Sequence, residues 1–76
     1  MNVEEIKKEK EITDTELIDK IAKAVRAYGE IEAHSFREQF LQGLISYGKL
    51  VGKLKELERK GEIELEYDDY GNLWIS

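Results

Sequence analysis

Cysteine and proline are both missing from this chain, and each absence narrows what the chain can be. Without cysteine there is no disulfide and no thiolate metal site, so 76 residues must hold together through a hydrophobic core alone. A core of that size stabilises by only a few kcal/mol, which makes a homodimer a reasonable expectation. The length allows one domain and no second. Long apolar runs are lacking too: Phe40-Leu41, Leu44-Ile45 and Leu73-Trp74-Ile75 fall far short of the roughly 20 residues that span a bilayer. No membrane association is expected, and the segment before Thr13 carries no apolar signal core, so the expected location is cytoplasmic. Positive charge is in deficit, with 12 Lys and Arg against 17 Asp and Glu and a net charge of -5, which argues against indiscriminate binding to nucleic acid. Charged residues make up 38% of the chain, while the amides are only Asn2, Gln39, Gln42 and Asn72; that balance leans toward a thermophile source.

What is present falls into short, well-punctuated segments. Residues 1–12 are mostly charged, with Val3 and Ile6 as isolated apolar points, and read as a frayed arm or a short helix preceding a domain over 13–76. Thr13 and Glu16 form a capping-box pair, and Leu17, Ile18, Ile21, Ala22, Val25 and Tyr28 then recur at helical spacing up to a Gly29 cap. Ile31-Glu32-Ala33 is long enough for one short strand. Ser35 and Glu38 repeat the capping-box signature, opening a second helix with Phe36, Phe40 and Leu41 on its buried side and its end near Gly43. Ser46 caps a third helix in which Tyr47, Leu50, Val51, Leu54 and Leu57 make one stripe, closing at Lys60-Gly61. The period then changes to two. Ile63, Leu65 and Tyr67 alternate with Glu62, Glu64 and Glu66; Asp68 to Asn72 supplies turn residues; Leu73-Trp74-Ile75 returns as the paired strand.

Chemistry-bearing constellations are few. His34 is the sole histidine and has no second His or Cys for a metal or nucleophile site; it reads as structural or solvated. Asp68-Asp69 lacks the spaced oxygen ligands and terminal Glu of a calcium loop, and no glycine-rich phosphate loop, paired catalytic carboxylates or Ser-His-Asp set occurs. The chain is therefore expected to be no enzyme and to need no cofactor. Trp74 alternates away from Leu73 and Ile75, and is read as core or partly buried, with the acidic face of the hairpin as the other placement. Tyr70 at the hairpin tip is either a turn filler or an exposed aromatic anchor.

The order helix, short strand, helix, turn, helix, hairpin resembles the winged helix-turn-helix superfamily over residues 13–76, most closely in KLVGKLKELERKGEIELEYDDYGNLWIS. The resemblance implies an α+β fold of three helices plus a small antiparallel β-hairpin wing, with a short strand between helices 1 and 2. It also implies noncatalytic binding of double-stranded DNA by a small transcriptional regulator, with helix 47–60 in the major groove. Carried over residue by residue, it points to Ser46, Tyr47, Lys49, Lys53 and Lys60 as DNA-binding positions. With the leucines facing the core, Lys49, Gly52, Lys53, Glu56 and Lys60 are expected on the opposite side. Gly48 and Gly52 stand one turn apart, each at a cost of up to about 1 kcal/mol relative to Ala unless another backbone comes close. The departure from the family pattern is electrostatic. Residues 49–60 carry five basic and two acidic side chains, but residues 61–76 carry five acidic and no basic ones. An acidic wing opposes phosphate. It suggests a second reading, in which the fold is an adaptor or a DNA-mimic-like inhibitor docking a basic protein partner through Glu62, Glu64, Glu66 and Tyr70.

Overall fold

A computed structural model describes residues 12–76. They form an α+β fold of three helices and one small antiparallel sheet: α1 (Asp14–Tyr28), β1 (Ile31–Glu32), α2 (Ala33–Leu41), α3 (Tyr47–Arg59), β2 (Leu65–Tyr67) and β3 (Leu73–Ile75). The first eleven residues of the charged arm lie outside the described residues. Ile12, assigned to that arm by composition, is buried in the core just ahead of the first helix cap.

Local sequence explains most of the boundaries. At the start of α1 the Thr13 hydroxyl accepts from the Glu16 N–H at 3.1 Å and the Glu16 carboxylate accepts from the Thr13 N–H at 3.2 Å. Two helix-end donors with no intrahelical partner are thereby satisfied. Gly29 ends the helix at φ 84°, a conformation that favours glycine, and its N–H returns to the Val25 carbonyl. α2 departs from the sequence reading. The expected Ser35–Glu38 box does not form; the helix opens three residues earlier, and Glu32 is its cap, accepting from the N–H groups of His34 and Ser35 at 3.0 and 3.2 Å. The Glu32 carboxylate satisfies two N–H groups of the first turn, and Ala33, the first helical residue, is fully buried.

β1 pairs with β3 rather than remaining alone, so the sheet has three strands in the order β1-β3-β2. Ile31 and Leu65 both face Ile75 across the ladder, while Glu32 and Glu66 both lie opposite Trp74. Side chains alternate across a strand, so the first register row turns inward and the second turns to the outer face. The core is closed by Leu17, Ile21 and Ala24 of α1, Phe36 and Leu41 of α2, Leu50, Leu54 and Leu57 of α3, and Ile31, Leu73 and Ile75 of the sheet. Among the described residues no polar or charged residue is buried, and no buried side-chain nitrogen or oxygen lacks a hydrogen-bond partner.

The turn between α2 and α3 is held by a side chain that the sequence reading did not single out. Gln42 and Gly43 both take positive φ, 51° and 65°, and the Gly43 N–H returns to the Arg37 carbonyl at 2.9 Å. The Arg37 guanidinium donates in turn to the carbonyls of Ile45 and Gly43. Its fixed fork of donors sets the angle at which α3 leaves α2. No helix among the described residues is long and apolar enough to cross a membrane.

Candidate functional site

α3 begins where Ser46, in an extended conformation, accepts from the Lys49 N–H through its hydroxyl at 3.3 Å. Leu50, Leu54 and Leu57 are buried to within 1% exposure and fix the rotation of the helix. Positions 48, 52 and 55 repeat that triplet displaced by two residues, which at 3.6 residues per turn is about 200° around the axis. The solvent pole therefore carries Gly48, Gly52, Lys55 and Arg59, with Lys49 and Glu56 at its border, and all six are exposed. Among the described residues, a Cβ added at Gly48 or Gly52 would meet no atom within 4 Å outside its own helix backbone and chain neighbours, so no packing contact there requires either glycine. Between the lysines the backbone of α3 is bare.

The side chains expected there from sequence divide into two groups. Ser46 and Lys49 lie exposed at the start of α3. Lys53 and Lys60 do not face away from the core: seven residues apart, they share a row that flanks the leucines and reaches the first residue of α1. There Asp14 holds both, at 3.6 Å from Lys53 Nζ and 3.4 Å from Lys60 Nζ. Lys55 and Arg59, which the sequence reading passed over, take the pole instead, and among the described residues neither forms an ion pair. The signal was present, because 55 and 59 continue the spacing of 48 and 52.

Tyr47 is half-buried, with its ring stacked on His34 at 3.9 Å between centroids and 2° between planes. Burial raises the pKa of its hydroxyl, as do the negative charges of Glu32 and Tyr67. His34 Nδ1 lies 2.8 Å from the Glu32 carboxylate. Burial alone would push that carboxyl up; the backbone and ring of His34 and the Ser35 N–H outweigh it and hold the group below its usual pKa. The free N–H groups at the start of α2, where a phosphate could sit, are thus occupied by the protein's own carboxylate. No group of three His, Cys, Asp or Glu side chains among the described residues could hold a metal ion.

The hairpin presents the opposite charge. Glu62, Glu64 and Glu66 are exposed, and Tyr70 at the tip is 90% exposed, so of the two readings of Tyr70 the open aromatic is the one observed. Trp74 stands half-buried on the outer face of the sheet between Glu32 and Glu66, not in the core. Asp68 organises the turn: its carboxylate accepts from the Trp74 indole Nε1–H at 2.9 Å, the Asn72 N–H at 2.8 Å, the Asn72 amide at 3.2 Å and the Tyr70 N–H at 2.9 Å. The Trp74 bond, followed by the Asn72 N–H, lowers its pKa to about 2. A carboxyl depressed by folding adds stability above its unfolded pKa and loses it as pH falls through the folded value. The hairpin is accordingly expected to loosen between about pH 4 and pH 2. The Trp74 indole proton resonance should titrate with a midpoint near 2; a midpoint at the value of an ordinary aspartate would mean that the four-donor cluster is absent in solution. Comparison with protein-family models, with curated proteins and with solved structures finds no match for this chain.

Proposed function

We propose that this chain is a small winged helix-turn-helix regulator that binds duplex DNA without catalysis, with α3 lying in the major groove. The observation that carries this reading is the solvent pole of α3: Lys55 and Arg59 without ion pairs among the described residues, beside two glycines over which a phosphate backbone can pass closely. Lys49 and Ser46 extend the surface toward the start of the helix. Tyr47 contributes from its edge, since its ring is stacked on His34, while Lys53 and Lys60 act from the flank after exchanging Asp14 for phosphate. The hairpin does not touch DNA in this reading. Its carboxylates repel phosphate, and that repulsion favours an approach led by α3.

A gel shift with random-sequence duplex at low and moderate salt tests the proposal, with binding expected at low salt and weakened by added salt. No shift at low salt ends it. Gly52→Ala sharpens the test because its two effects have opposite sign. Alanine fits the open space and raises helix stability by up to about 1 kcal/mol. Its methyl stands where the phosphate backbone passes, so duplex affinity should fall while the thermal midpoint rises. A variant that gains stability and binds DNA as well as the parent removes the role assigned to the bare helix.

A further inference from the structure

The outer face of the sheet has a charge and a shape that α3 does not use. Trp74 is held there by its bond to Asp68, and it lines two hollows. The hollow toward the hairpin, about 250 Å³, is lined also by Glu30, Glu66 and Asp68; the one toward α1, about 200 Å³, by Tyr28, Glu30 and Glu32. Two of these carboxylates are already engaged, Asp68 by its four donors and Glu32 by the cap of α2. Glu30 and Glu66 are exposed and make no hydrogen bond or ion pair among the described residues. Among the described residues no lysine or arginine lines either hollow.

We infer that this face binds an arginine-bearing peptide segment of a partner protein, with one guanidinium stacked on Trp74 and neutralised by Glu30 and Glu66. The charge complementarity selects the occupant. A cation gains from the indole face and from two carboxylates with no competing donor among the described residues, and a planar guanidinium matches the ring where an ammonium does not. A second copy of the chain is the poorer fit, because each copy carries a net charge of -5 and its basic pole includes Glu56 at the border. The site differs from the hairpin row of Glu62, Glu64, Glu66 and Tyr70 in being centred on Trp74 and in drawing Glu30 from the loop after α1. It does not depend on DNA binding.

Trp74 is the sole tryptophan, so its emission reports the site directly. Titration with an arginine-rich peptide should shift that emission saturably, more strongly than a lysine-rich peptide of equal charge, and a Gly-Ser peptide should do nothing. Glu30→Gln with Glu66→Gln should weaken the arginine peptide by about tenfold, as for two partly exposed ion pairs. Glu56→Gln with Glu58→Gln removes the same charge from α3 and should leave peptide binding unchanged. Equal weakening by both pairs, or no change in Trp74 emission, overturns the site. Concentration-dependent self-association that Glu30→Gln with Glu66→Gln abolishes would name a second copy as the occupant and overturn the partner. Duplex binding by the Glu30→Gln, Glu66→Gln protein is expected to be retained, which keeps this result separate from the fate of the DNA reading.

Discussion

Reversing Lys55 and Arg59 to glutamate is expected to abolish the duplex shift while leaving the fold intact. Both side chains are exposed and make no ion pair among the described residues, so no internal contact is lost. Two charge-assisted contacts at about 1.5 kcal/mol each correspond to roughly 100-fold in affinity, before the repulsion of the introduced carboxylates is counted. The matched comparison is Lys53→Ala with Lys60→Ala. These lysines already face Asp14, so their removal should cost DNA affinity much less and reduce thermal stability only slightly, as exposed ion pairs do. Affinity measured by fluorescence anisotropy at one low salt concentration separates the two pairs. If the Lys53, Lys60 pair proves the more damaging, the DNA-facing side of α3 is the flank and not the pole.

Phe36→Ala is expected to bring the protein close to unfolding at room temperature. Phe36 is fully buried, the largest side chain in the core, and its ring stacks on Phe40 at 5.5 Å between centroids. Truncation of a buried phenylalanine costs about 3–5 kcal/mol, through lost transfer energy and the cavity left behind. A chain of 76 residues has about 4–11 kcal/mol in all, and no disulfide stands in reserve. Phe36→Leu keeps most of the volume and should cost less than about 2 kcal/mol. Urea unfolding followed by far-ultraviolet circular dichroism reads both. A loss below about 1 kcal/mol for Phe36→Ala would contradict a core centred on that ring.

The features that were legible in the sequence are those decided within a few residues of themselves. The Thr13–Glu16 box, the Gly29 stop, the Ser46 cap and the leucine stripe of α3 depend on neighbours three or four positions away, and all four formed as read. The errors came from partners distant in the chain. Glu32 is the cap of α2, and Ala33 behind it is fully buried, which depends on packing that local pattern does not specify. For Trp74 the alternation with Leu73 and Ile75 already allowed a partly buried ring on the acidic face, as observed; what no spacing within the hairpin announces is that β1 pairs with β3 and brings Glu32 beside it. Lys53 and Lys60 met Asp14 at the other end of the domain. Lys55 and Arg59 are a different matter: the helical period places them opposite the leucines, and counting the phase of the helix, in place of seeking lysines, finds them.

The molecule is thus polarised, with cations on one side of α3 and, beside Trp74 on the sheet, the carboxylates of Glu30 and Glu66, which have no partner among the described residues. The central claim is that duplex DNA meets the first of these surfaces. The most direct test is a map of backbone amide shifts in isotope-labelled protein as duplex is added. The account predicts that the moving resonances cluster at Gly48, Lys49, Gly52, Lys55 and Arg59, while those of Glu30, Glu66 and Trp74 stay in place. Shifts confined to the sheet face, or an unperturbed spectrum at saturating duplex in low salt, would contradict it.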